Sequence, residues 1–149
     1  FRVSARFHPI NRDLAYLVAV SVTGPLIVTL LKGRTHIHCP WNLTLFGGNK
    51  PHVRLLDSVP SGMTVGHCFP SGHSVLGFTF VGLYFFYLRA NPKYRYAGLC
   101  TGIVWGLFYG INQQVRGAHF LSHDLYSLSI CWFSAVLLYW LFFRKRRVD

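Results

Sequence analysis

Four long apolar segments, residues 14–31, 74–88, 96–111 and 125–143, run through the 149-residue chain without a single acidic side chain among them. At a rise of about 1.5 Å per residue, a helix over the first or last segment nearly crosses a hydrocarbon core of about 30 Å. The middle two reach that far with their flanking residues. With 52% hydrophobic and 17% aromatic residues, the composition lies above the usual soluble range. The pattern predicts an all-α fold: a polytopic transmembrane helical bundle, one domain over residues 1–149. Pro25 is expected to kink or loosen the first helix without ending it.

Charge is scarce and one-sided: 15 Lys and Arg stand against 4 acids, Asp13, Asp57, Asp124 and Asp149, for a net charge of +11. The basic residues cluster between apolar runs instead of lining one soluble face, which favours membrane helix ends over a nucleic-acid partner. Arg2, Arg6 and Arg12 precede the first segment. Arg89, Lys93 and Arg95 join the second and third, and Arg144, Lys145, Arg146 and Arg147 follow the fourth. An even number of crossings puts these three groups on one face, which the positive-inside tendency makes cytoplasmic, including residues 1–13. Connections 32–73 and 112–124 then share the opposite face. The terminal basic run reads as an interfacial anchor. Residues 1–13 hold no apolar stretch of signal-peptide type and read as the inside of a longer protein.

Seven of the eight histidines fall on the non-cytoplasmic side: His36, His38, His52, His67, His73, His119 and His123. Lys32, Arg34, Lys50, Arg54 and Arg116 accompany them, a concentration that suits an anionic substrate. The segment Cys68-Phe-Pro-Ser-Gly-His73 leads straight into an apolar helix, whose unpaired N–H groups and partial positive charge can seat a phosphate. There Gly72 permits close backbone approach, Ser71 adds a hydroxyl, and His73 is placed to protonate a leaving oxygen. Taken alone, this stretch reads better as an ordinary Pro-Ser helix cap.

A second polar segment, Gln114 to Asp124, precedes the last apolar run. Arg116 supplies a guanidinium that grips phosphate oxygens in a fork. Either His119 or His123 can attack phosphorus with Asp124 steadying the ring. Lys32 and Arg34 form a further cationic pair, or snorkel to the interface. Cys39 and Cys68 lie in connections on the same face, where a disulfide can form in an oxidising compartment. Cys100 and Cys131, inside apolar runs, read as small core residues.

Together these segments resemble the type 2 phosphatidic acid phosphatase superfamily of membrane lipid phosphatases, related to bacterial acid phosphatases and vanadium haloperoxidases. The family pattern is Lys, six residues, Arg-Pro; then Pro-Ser-Gly-His; then Ser-Arg, five residues, His, three residues, Asp. Phe69 to His73 contains the middle block unchanged. Lys32 keeps the first spacing, but Cys39 stands before Pro40 in place of Arg. In the third block Gly117 to Ser122 fits, the usual Arg falls at Gln113 with Arg116 three positions later, and His123 reads as an insertion before Asp124.

The resemblance implies a six-helix protein, of which these would be the third to sixth helices, in a bacterial inner membrane with the active site facing the periplasm. It also implies a phosphohistidine intermediate, a lipid phosphate or pyrophosphate substrate, and no metal or other cofactor. Carried over by position, Lys32 and Arg116 hold phosphate oxygens, with a guanidinium contribution from Arg34. Ser71 and the Gly72 amide complete the cradle, His73 is the acid, and His119 is the nucleophile oriented by Asp124. His123 is the competing nucleophile; His119 is preferred because adjacent helical residues such as His123 and Asp124 do not face each other.

Three rivals remain at this level. A zinc hydrolase would draw on His36, His38, Cys39, His67, Cys68, His119 and His123, although the chain has no HExxH arrangement and no Glu. A lipid-binding membrane subunit needs the charge but not the paired His73 and His119. A lipid phosphotransferase would share the covalent intermediate. Trp41, Leu43, Leu45 and Phe46 offer interfacial anchors for an amphiphile entering sideways, or ordinary packing.

Overall fold

The computed structural model describes residues 4–144, with side chains from Asn11 onward. Arg2, Lys145, Arg146, Arg147, Asp149 and the side chain of Arg6 lie outside the described residues, so the terminal anchor is not assigned.

Helix α1, Ser4–Lys32, is helical through Pro25. The connection that follows carries two 3-10 turns, Pro40–Asn42 and Thr44–Phe46. Next come α2 (Ser74–Phe78), a 3-10 turn (Thr79–Gly82) and α3 (Leu83–Ala90), which run on as one apolar helical stretch. Helix α4 spans Arg95–Val115 and α5 spans Leu121–Phe143. The last helix starts four residues before the expected 125 because its first turn is polar, holding Ser122, His123 and Asp124. Hydropathy alone assigns such a turn to the loop.

Two helical stretches are long and apolar enough to cross a membrane: Asn11–Lys32, mean hydropathy 2.1, and Leu121–Phe143, mean hydropathy 1.7. Ser74–Ala90 is shorter, and the glycines and terminal amides of α4 dilute its hydropathy. On length and composition, two of the expected four membrane helices meet the requirement.

The ends of the helices alternate as the charge pattern requires. At one end the Arg89 side chain meets Asp13 at 3.0 Å, and the Arg12 and Arg89 guanidinium groups lie over the Phe143 ring. A cluster of Tyr16, Val20, Phe85 and Ala135 packs near that end, where the Tyr16 hydroxyl reaches the carbonyls of Gly82 and Ala135. A second cluster, Val28, Val75, Phe78, Val81 and Cys131, lies beneath the polar connections.

What brings α4 against the α2–α3 stretch is a glycine every fourth residue, Gly98, Gly102 and Gly106, and the next in the series, Gly110, faces Asp124 of α5; all four are buried. A Cβ on Gly106 would enter the Phe78 ring, and one on Gly77 would enter the α4 backbone at Trp105 and Gly106. Backbones approach this closely only where side chains are absent.

Two expectations are corrected here. Cys100 is exposed, because two residues beyond Gly98 a helix has turned about 200° away from the packed face; Cys131 is buried as expected. Leu43 is not an anchor at the interface but 2% exposed, turned inward between the two 3-10 turns, while Trp41, Leu45 and Phe46 are exposed.

Cys39 and Cys68 form a disulfide across a sequence separation of 29 residues, with Cα atoms 5.1 Å apart. It closes the long connection directly before Phe69. By loop-closure entropy its removal in Cys39→Ser/Cys68→Ser should cost about 2–4 kcal/mol, read as a lower unfolding midpoint in detergent. An unchanged midpoint would show that the connection holds itself together without the bond.

Candidate active site

The turn Pro70–His73 is stitched to the first turn of α5. Ser71 N–H donates to the His123 carbonyl at 3.3 Å, and the Ser127 hydroxyl lies 2.8 Å from the Ser71 carbonyl and 3.0 Å from that of His123. Ser71 is fully buried, and its Oγ accepts from Ser74 N–H at 3.5 Å. Its hydroxyl thus caps the helix start as well as lying beside the expected phosphate cradle. His73 sits at the N-cap of α2 with an exposed side chain.

This stitching puts the ring of His73 6.2 Å, centroid to centroid, from that of His119. Lys32, at the end of α1, completes the corner: a Cβ on Gly72 would stand 3.3 Å from the Lys32 ammonium nitrogen. Two bonds hold α1 there, from the Thr35 hydroxyl to the Phe69 carbonyl at 2.7 Å and between His67 Nδ1 and the Lys32 carbonyl at 3.1 Å.

His119 is 5% exposed. Burial, then the neighbouring His123 and Lys32 charges, push its pKa down to about 4, with Asp124 opposing the shift. Its Nδ1 lies 3.2 Å from Nδ1 of His123 and 3.5 Å from the Cys68 sulfur. His123 is 3% exposed and edged by the rings of Phe69 and Phe120, at centroid distances of 5.3 and 5.5 Å.

Asp124, expected beside His119, turns instead to α4. Its Oδ2 accepts from Gln114 Nε2 at 2.7 Å, its carboxylate rests on Gly110, and its buried Oδ1 has no hydrogen-bond partner among the described residues. Arg116 is exposed at the end of α4 and lines an open cleft of about 520 Å³ together with Gln114 and His119. Trp41, Phe46 and Leu121 form apolar parts of the same wall. Arg34 is exposed on the turn after α1, and no hydrogen bond or ion pair among the described residues joins its side chain to this group.

Gln114, Gly110 and Ser127 escaped the sequence reading. The four-residue glycine period and the position of Ser127 four residues after His123 were the available signals.

Most ligands of the zinc alternative are engaged elsewhere. His36, His38 and His67 hydrogen-bond the carbonyls of Arg54, Thr64 and Lys32. Cys68, His119 and His123 bring donor atoms within 4.8 Å of one another, but the Cys68 sulfur is bonded to Cys39 and has no thiolate to offer.

The described residues form helices and turns without a named strand, and they gather an ammonium, a guanidinium and two imidazoles at one end of apolar helices. The chain matches the family model of the PAP2 superfamily over residues 13–147 and belongs to that superfamily. Its members are generally phosphatases, and a phosphatase-type function follows. No curated protein and no solved structure matches the chain.

Proposed function

We propose that this chain is the core of a membrane phosphatase that hydrolyses a lipid phosphate or lipid pyrophosphate on the outer, periplasmic face through a phosphohistidine on His119. The observation that carries the reading is the 6.2 Å between the His73 and His119 rings, with the Lys32 ammonium beside Gly72. That spacing accommodates one phosphoryl group between two imidazoles.

Lys32, Arg116 and the Gly72 amide hold the phosphate oxygens and carry the charge that builds in the transition state. His119 Nε2 attacks phosphorus while His73 gives its proton to the departing oxygen. Water then cleaves the P–N bond, and His73, now neutral, takes the water's proton. A lipid substrate is favoured by the exposed Trp41, Phe46 and Leu121 at the cleft and by the apolar outer faces of α1 and α5.

Phosphate release from phosphatidic acid, phosphatidylglycerol phosphate and undecaprenyl pyrophosphate, measured in detergent with EDTA present, tests the proposal. Release in chelator is expected. No release from any of the three, or release only with added divalent metal, would sink it. The pH profile adds a second check: a nucleophile with a pKa of about 4 stays neutral above that value. Acidification should therefore leave the nucleophile competent down to about pH 4, with turnover at saturating substrate falling below that value as His119 gains a proton.

A further inference from the structure

We infer that His123, and not a carboxylate, is the positioning residue of the nucleophile: it fixes the His119 ring through an Nδ1–H···Nδ1 bond and takes up that proton as His119 becomes phosphorylated. The inference rests on the assignment of His119 as nucleophile and deepens it.

Two ring nitrogens 3.2 Å apart can hydrogen-bond only if one bears hydrogen and the other a lone pair. With the hydrogen on His119 Nδ1, its Nε2 lone pair is free to attack. With the hydrogen on His123 Nδ1, His119 has to carry its own on Nε2 to stay neutral, which blocks attack. Attack therefore requires the tautomer in which His123 Nδ1 is the acceptor and His123 carries its own hydrogen on Nε2.

The placement is tight on every side. Phe69 and Phe120 press their rings against His123, and its backbone is tied to Ser71 and Ser127. The charged and titratable groups around the pair are Lys32 from α1, His73 at the start of α2, Arg116 at the end of α4 and Asp124 from α5. The one carboxylate among them is hydrogen-bonded to Gln114.

In the chemical step the His119 Nε2–P bond forms, the bond from phosphorus to the leaving oxygen breaks, and that oxygen takes the proton of His73. The positive charge arising on His119 is relieved when its Nδ1 proton passes to His123 Nδ1. Hydrolysis reverses the transfer: water's oxygen bonds to phosphorus, its proton goes to His73, the P–N bond breaks and His119 Nδ1 recovers its hydrogen.

Three variants and two readouts test this. His123→Ala should lower kcat by about 100-fold or more with little change in KM. His123→Asn, which keeps an acceptor but cannot take the proton, should remain well below wild type. His123→Asp should restore turnover to within about tenfold, with its acid limb moved up by about one pH unit or more, because a carboxylate favours the protonated ring of His119. Wild-type turnover in His123→Ala or His123→Asn, or acid-labile phosphate trapped on residue 123 instead of 119, overturns the inference.

The second readout needs no activity. The His119 pKa, followed by NMR of ring-labelled histidine in micelles, should rise in His123→Asp. An unchanged value overturns the dyad whether or not any lipid phosphate is a substrate. An inactive wild type with the expected pKa shift instead counts against the phosphatase assignment while supporting the contact.

Discussion

Replacing His119 by alanine or glutamine is expected to abolish phosphate release, lowering kcat on the order of 10⁴-fold or more, since the covalent route disappears with the ring. Acid-labile phosphohistidine should vanish with it. The companion variant, His73→Ala, behaves differently because an acid matters only as much as the leaving group needs a proton. On a lipid phosphate, with a poor alkoxide leaving group, the loss should be about 10²–10⁴-fold. On an aryl phosphate with an acidic phenol it should shrink to a small factor. Equal losses on both substrates would remove His73 from the role of acid, and full activity in His119→Gln would remove the nucleophile. The two rings stand 6.2 Å apart, so a single phosphoryl group can report on both.

Gly106→Leu is expected to be the most damaging substitution away from the site. The space beyond the Gly106 Cα is filled by the ring of Phe78, itself fully buried, and the α4 backbone at Gly106 lies against Gly77 of α2. Neither neighbour is the free end of a flexible side chain. The cost should therefore exceed the about 1–3 kcal/mol usual for overpacking. Because α2 also carries His73 at its N-cap, activity should fall together with the unfolding midpoint in detergent. Cys100→Leu, on the exposed side of the same helix, is the control and should change neither by much. Equal effects of the two substitutions would mean that the glycine face does not hold α4 in place.

Much of this was legible in the residues themselves. Acid-free apolar runs marked the apolar part of each helix, but α1 begins at Ser4, not 14, because its polar first turns carry no hydropathy signal; the basic connections gave the alternation later seen in the Arg89–Asp13 pair opposite Lys32. Pro-Ser-Gly-His before an apolar run announced a helix start, which α2 makes at Ser74. The start of α5 was missed because its first turn is polar, and hydropathy cannot distinguish a polar turn from a loop. The glycine face was missed because glycine contributes little to hydropathy, although its four-residue period was there to be read.

Sequence alone determined that this chain builds apolar helices with histidines and cations gathered in the connections at one end, because composition and spacing fix local structure and helix direction. Which side chains meet there was decided only by tertiary packing. Along a helix each residue turns about 100° from the last, so neighbours in sequence serve different partners. His123 is directed to His119, while Asp124, one position on, meets Gln114 over the space left open by Gly110. No reading of spacing in one dimension contains the approach of α4 that makes that choice.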